Sequence, residues 1–346
     1  GSTTNPKLAL RWQALDFLAF RGSISRTFRA PTSLQTVNSC ATGVSNIGGQ
    51  YRAVQTCGNP DLAPEKATAY NIGTIVKYGG FQATLDYYNF DFKGELTTES
   101  AARLFASMFP TGLAVTDPSH PCNAAAFAPL KARFQFAAGT CAAGNVLRID
   151  SFNVNGPNTK TSGVDFKATY SWDDFLLDGS SWSAGVETTY LIKYARGAFS
   201  LLGAPAVEFT APEDRAGLYD LTVSFFSYPK WRGNGFLNFN RGPISARWQV
   251  RYTEGTRPAF GTTFFKEVPT STGVGYELQY PGKTKAYWQH DLTASYQLPW
   301  MDTLVTASVQ NIFDKDPPFA FSNFNYDYTS GNPLGRTYKL NVRTRF

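Results

Sequence analysis

The sequence predicts an all-β chain, the antiparallel strands of a transmembrane β-barrel, and three observations carry that prediction. Apolar and polar residues alternate with a period of two along many short segments, the connections between them alternate between short and long, and apolar rows end in aromatics. Composition agrees. Of the 346 residues 15% are aromatic and only 17% charged, against roughly 25% charged in an average soluble domain. So many aromatics exclude intrinsic disorder. No uninterrupted run of ~18 apolar residues occurs, which excludes transmembrane helices. The 32 Lys and Arg against 26 Asp and Glu give a net charge of +6, with no basic cluster dense enough for nucleic acid. The polar start Gly1-Ser2-Thr3-Thr4-Asn5 has no signal-peptide pattern, so a processed or non-native N-terminus is expected.

Near the N-terminus Leu8, Leu10 and Trp12 alternate with Lys7, Ala9, Arg11 and Gln13. Tyr70, Ile72, Thr74, Val76 and Tyr78 then form an apolar row bracketed by tyrosines. Nine residues at ~3.3 Å each, tilted by ~45°, rise about 20 Å, close to the ~25 Å apolar band of an outer-membrane barrel. The same alternation recurs from Ile244 to Thr253, from Asp291 to Leu298, and from Thr337 to Phe346. Strands are expected at about 7–13, 17–28, 68–78, 81–92, 147–172, 182–194, 231–240, 244–253, 286–298, 304–313 and 336–346. Short turns then alternate with long loops at about 29–67, 93–146, 195–230, 254–285 and 314–335. That asymmetry is the habit of bacterial outer-membrane barrels. Segment 147–172 is long for one strand and contains Asn155-Gly156-Pro157, and 218–228 has room for strand structure inside a loop. About eleven strands is an odd number, whereas closed bacterial barrels have even ones. An incomplete barrel beginning in an outer loop is therefore expected, with a closed barrel of twelve strands as the alternative.

Cys40, Cys57, Cys122 and Cys141 lie in long loops, without the Cys-x-x-Cys spacing of zinc or redox sites. Proximity favours the pairs Cys40–Cys57 and Cys122–Cys141, although four cysteines allow three pairings. Disulfides imply an oxidising compartment. A metal reading of Cys122 with His120 has too few ligands, and no cofactor is expected.

Several motifs, taken in order, resemble TonB-dependent outer-membrane receptors. Arg21-Gly22-Ser23 followed by Phe28-Arg29-Ala30-Pro31 resembles the family's FRAP strand end, and Asn59-Pro60-Asp61-Leu62-Ala63-Pro64-Glu65 its NP.L.PE segment. Asp86-Tyr87-Tyr88, Ser162-Gly163-Val164-Asp165 and Asp291-Leu292-Thr293-Ala294-Ser295-Tyr296 resemble later family strands, and Asn311-Ile312-Phe313-Asp314 with Pro317-Pro318 resembles NLFD..PP. Phe346 resembles the terminal aromatic read by the barrel-assembly machinery. The resemblance implies that residues 1–346 are the C-terminal half of a 22-stranded barrel, with the plug domain and the N-terminal barrel strands absent from this chain. It also implies a Gram-negative outer membrane, extracellular long loops, and partners in lipid, in the remainder of the receptor and, through it, in the TonB complex.

Enzymatic motifs are absent: Ser181-Trp182-Ser183-Ala184-Gly185 lacks the first glycine of a nucleophile elbow, and Gly233-Asn234-Gly235 opens no dinucleotide fingerprint. No enzyme is expected, and His120 and His290 read as polar loop and interface filler. Arg11, Arg21, Arg247, Arg251, Lys339, Arg343 and Arg345 share the polar register of their strands. They are candidates to dock acidic groups of a plug or attract anions, against the plainer reading of a solvated interior. The loop aromatics Phe260, Phe264, Phe265, Phe319, Phe321, Phe324, Tyr326 and Tyr328 are candidates for substrate stacking, against loop–loop packing. The expected function is TonB-coupled nutrient uptake through a plug-gated barrel, with a passive porin or a structural surface barrel as alternatives.

Overall fold

Period-two alternation produces strands because successive side chains point to opposite faces of a pleated ribbon. In the computed structural model, eleven such strands join in chain order into one antiparallel sheet. They are β1 (Lys7–Leu15), β2 (Leu18–Arg29), β3 (Glu65–Tyr78), β4 (Phe81–Lys93), β5 (Thr159–Asp173), β6 (Ser180–Arg196), β7 (Trp231–Arg241), β8 (Ile244–Thr253), β9 (Tyr287–Gln297), β10 (Leu304–Gln310) and β11 (Thr337–Arg343). A two-residue segment, Glu213–Asp214, also pairs with β6. The structure describes residues 4–202, 204–210, 212–221, 226–259, 264–270, 273–279, 282–300, 302–322 and 324–344, with 204–210, 264–270 and 273–279 as backbone only.

The expected strands are present, with one correction. Segment 147–172 is two strands: Val146–Asn155 belongs to a separate loop sheet, and only Thr159–Asp173 joins the wall. Both halves alternate, so periodicity runs through the break, but Pro157 donates no backbone hydrogen bond and separates them. Within 218–228, Leu218–Asp220 and Phe226–Ser227 do pair. In the described sheet β1 and β11 each have a single neighbour, so the sheet has two open edges.

One face of this wall is apolar and exposed. Leu8, Leu10 and Leu340 each keep more than 70% of their surface accessible, an arrangement suited to hydrocarbon and costly in water. Aromatics border the face at both ends. On the short-turn side Phe17 meets Tyr78, and Trp182 lies 6.5 Å from Trp172 and 4.7 Å from Phe239. On the long-loop side Tyr70 meets Tyr87, Tyr190 meets Trp231, and Tyr252 lies 4.4 Å from Trp288. These two belts match interfacial girdles.

The long loops fold into a layer of their own. Cys40–Ile47, Gln50–Cys57 and Val146–Asn155 form a sheet with the short strands Leu96–Thr98 and Phe134–Phe136. Helix α1 (Ala101–Met108), capped by Ser100, buries Leu104 and Met108. These pack with Ile47, Leu130, Ile149 and Leu201 in a compact apolar core. Both disulfides, Cys40–Cys57 and Cys122–Cys141, are in this layer with the pairing that proximity favoured.

Candidate functional site

Strand register gathers the candidate basic residues on the polar face of the wall. Arg11 lies directly opposite Arg21. The like charges are tolerated because Arg21 Nε donates to Asp86 Oδ1 at 2.7 Å and its Nη2 donates to Oδ2. Asp86 comes from β4 and crosses β3 at Gly73, where a Cβ would meet its Oδ1 at 2.0 Å. Glycine there leaves the carboxylate room to reach two strands away. Arg11 itself donates to Gln13 at 3.2 Å.

A second cluster spans β7 to β11. Arg251 donates to Asp291, whose other oxygen accepts from Gln289 Nε2 and from the Asn311 backbone N–H, each at 2.9 Å. Arg247 donates to Asn238 Oδ1 at 3.1 Å, and its guanidinium lies 4.4 Å over the Phe236 ring. The ring occupies space that glycine at 185 leaves open, since a Cβ there would meet it at 2.5 Å. Arg247, Arg251, Asp291, Thr293, Ser308 and Lys339 line a recess of about 270 Å3. Arg343 stands apart on the edge strand, opposite Leu304. Arg345 and Phe346 lie outside the described residues.

The loop aromatics divide. Phe324 is 5.6 Å from Tyr328 and 6.3 Å from Tyr326, and Phe319 bridges to Tyr326 through the backbone. Phe319, Phe324 and Tyr328 are exposed, whereas Phe321 packs on Tyr219, Leu221 and Ala320. For Phe321 the packing reading therefore applies. Phe260 lies outside the described residues, as do the side chains of Phe264 and Phe265.

Two anchors that sequence reasoning missed hold this loop. The Tyr219 hydroxyl accepts the Phe321 N–H at 3.2 Å, and burial pushes its pKa up. Buried Asp327 accepts from Ser227 Oγ at 2.6 Å and from the N–H and hydroxyl of Thr329. The Asp-x-Thr spacing of a side-chain turn was the available signal; its partner 100 residues away was not.

The main loop layer carries a further buried polar joint. Glu99 accepts the N–H groups of Phe152 and Leu202 at 3.1 Å each and pairs with Arg133 at 3.5 Å. Arg133 also donates to the Leu202 carbonyl and lies over Phe152. Burial raises the Glu99 pKa above the ordinary carboxylate value, against the pull of Arg133. Arg52 donates to the Ile47 and Val146 carbonyls. His120 corrects the expectation of polar filler: it is 1% exposed, and its Nδ1 accepts the Cys122 N–H at 3.1 Å. His290 does lie on the exterior, with its ring 5.7 Å from Trp248. Among the described residues no cluster of acids, histidines and cysteines could hold a metal.

The family model for the TonB-dependent receptor-like β-barrel matches residues 1–312. This chain belongs to that family. Membership places it in the Gram-negative outer membrane. Solved structures similar to it share 14–18% identity, so they speak for the fold alone. The ferric enterobactin receptor PfeA of Pseudomonas aeruginosa, in a single-site mutant form, aligns at 18% identity and TM-score 0.56, covering 99% of this chain and 40% of the receptor. The siderophore receptor PirA of Acinetobacter baumannii aligns at 14% and 0.55, covering 99% and 41%. The FrpB iron transporter of Neisseria meningitidis aligns at 14% and 0.52, covering 99% and 39%. The chain thus spans about two fifths of the length of these structures. No curated protein matches its sequence significantly.

Proposed function

We propose that this chain forms the C-terminal half of the wall of a TonB-dependent outer-membrane transporter, with its long loops extracellular. The carrying observation is the open eleven-strand sheet of a receptor-barrel family member, apolar on one face and recessed and basic on the other. Unpaired strand edges are untenable in hydrocarbon. An odd strand count makes β1 and β11 run in the same direction. A second copy in the same membrane orientation would meet them in parallel. A complement with an odd number of strands and opposite edge polarity continues the antiparallel order, as the rest of the same receptor would. The remaining partners in this reading are lipid, the barrel-assembly machinery acting on the C-terminal strand, and TonB acting through the rest of the receptor.

In this reading Arg247, Arg251 and Lys339 face an acidic surface of a plug. Arg11 and Arg21 extend the basic interior, with Arg343 on the edge strand, and Arg345 is assigned the same docking role from its sequence register alone. The exposed aromatics Phe319, Phe324 and Tyr328, with Tyr326 and the loop residues Phe260, Phe264 and Phe265, offer stacking surface to the cargo. Iron chelates are the first cargo to test, because the named structures are siderophore and iron receptors.

The test is energy-dependent uptake by cells expressing the intact receptor with Arg247→Glu and Arg251→Glu together. Uptake should fall, and ion conductance in planar bilayers should rise as plug seating loosens. Unchanged uptake and conductance would remove the docking role. A large steady conductance in the unaltered receptor would favour a passive porin.

A further inference from the structure

The sheet of the loop layer ends in a strand that no described residue covers. Cys40–Ile47 pairs with Gln50–Cys57 on one side and has no neighbour on the other. The hairpin they form is held at both ends. The Cys40–Cys57 disulfide closes its base, and Ile47 packs in the loop core beside the Gly48-Gly49 turn. Arg52 adds a hydrogen bond to the Ile47 carbonyl at 3.0 Å. Seven of the eight residues from Cys40 to Ile47 are nevertheless exposed, Val44 among them. Proteins guard such edges with lysine, proline or a bulge. Cys40–Ile47 carries no charge and no proline, and its register with Gln50–Cys57 is unbroken.

Register decides which backbone groups are free. The Cα atoms of Cys40 and Cys57 lie 4.0 Å apart, the close spacing of a pair that shares no ladder hydrogen bonds. One residue earlier, the Gly58 N–H donates to the Ser39 carbonyl at 3.0 Å. Odd-numbered residues therefore bond inward, and the N–H and carbonyl groups of Thr42, Val44 and Asn46 point to the open edge. Among the described residues none of these groups has a partner. The loop sheet also repeats the order of the wall. Cys40–Ile47 follows β2, Gln50–Cys57 leads into β3, and Val146–Asn155, parallel to it, leads into β5. One place beyond β2 in that series is a strand that descends into β1, antiparallel to Cys40–Ile47.

We propose that this edge takes up, by main-chain pairing, the descending arm of the outer loop through which the receptor chain enters β1. The inference rests on the half-wall reading above, which supplies that arm, and it adds a second seam outside the membrane. A hairpin stapled at its base and packed at its tip needs little ordering before it pairs. The arriving strand should be uncharged beside Val44, because the edge offers no countercharge. A Cβ on Gly43 would meet nothing within 4 Å, so the pairing also leaves room for a large side chain from the arriving strand.

The test places the photo-crosslinker p-benzoylphenylalanine at Val44 of the intact receptor and, in a separate variant, at Leu10 of β1. Peptide mapping should find the Val44 link in the stretch directly upstream of β1. Hydrogen exchange of the unaltered receptor should find the Thr42, Val44 and Asn46 amides protected. Val44→Pro removes one outward donor and spares the bonds to Gln50–Cys57. Exchange at Thr42 and Asn46 should then accelerate about tenfold, while slow exchange across Gln50–Cys57 verifies that the hairpin is folded. A Val44 link to another segment, to a second receptor or to nothing overturns the proposal, as does fast exchange at Thr42 and Asn46 in the unaltered receptor. The Leu10 probe separates the two readings. A Leu10 link to an upstream wall strand keeps the half-wall reading when the loop pairing fails, and absence of that link removes both.

Discussion

The wall and the loop layer solve the burial problem in opposite ways. In the wall, Leu10 is 72% exposed and its apolar surface faces outward. In the loop layer, Leu104 and Ile149 are 0% exposed, and the chain buries them against itself. One sequence therefore carries two cores, one completed by lipid and one completed by protein. The difference teaches that a residue's contribution here depends on the solvent its face meets, and four tests would break or sharpen it.

The largest effect is expected from Leu104→Ala, which leaves a cavity in the protein core and should cost the loop layer about 2–5 kcal/mol. Hydrogen exchange of Val146–Asn155 should rise, while Leu10→Ala should leave that exchange unaltered. Next, Leu85→Arg, on the exterior row between Phe81 and Tyr87, should cost about 2–4 kcal/mol in lipid. Asn71→Arg on the polar face should cost under about 1 kcal/mol. Urea titration of the barrel folded into vesicles compares them, and equal costs would contradict the assigned faces.

Reducing Cys122–Cys141 should lower loop-layer stability by about 3 kcal/mol, seen as faster proteolysis there with the heat-modifiable shift of the wall retained. Simultaneous loss of both would show that the regions do not fold separately. The smallest effect concerns pH. Burial raises the Glu99 pKa in the folded state, so its protonated form is favoured on folding. Stability from this group is full below the unfolded carboxylate value and is lost as pH rises through the raised folded value. Proteolytic resistance of the loop layer should therefore increase on mild acidification, and Glu99→Gln should flatten that dependence.

Legibility in the sequence follows the same division. The wall was readable because period-two alternation is local: Leu8, Leu10 and Trp12 declare a face without reference to anything distant. Both disulfides were readable for the same reason, their cysteines being 17 and 19 residues apart. The loop core was not, because Ile47, Leu104, Ile149 and Leu201 come from three separate loop segments and share no period. Hence alternation alone runs Val146–Asn155 into the wall strand that follows it, and nothing local marks His120 as buried. Of the candidate site, the shared polar register of Arg247, Arg251 and Lys339 was visible. Their common recess and the Asp291 counter-charge were not.

By itself the sequence determined strand order, the two faces of the wall, the alternation of short turns with long loops, and the family. Each of these is written in residues within a few positions of one another. Tertiary structure alone decided which loops share a core, and that Asp86 neutralises Arg21 and Asp291 neutralises Arg251. Those outcomes depend on register between strands far apart in the chain, and only folding fixes that register.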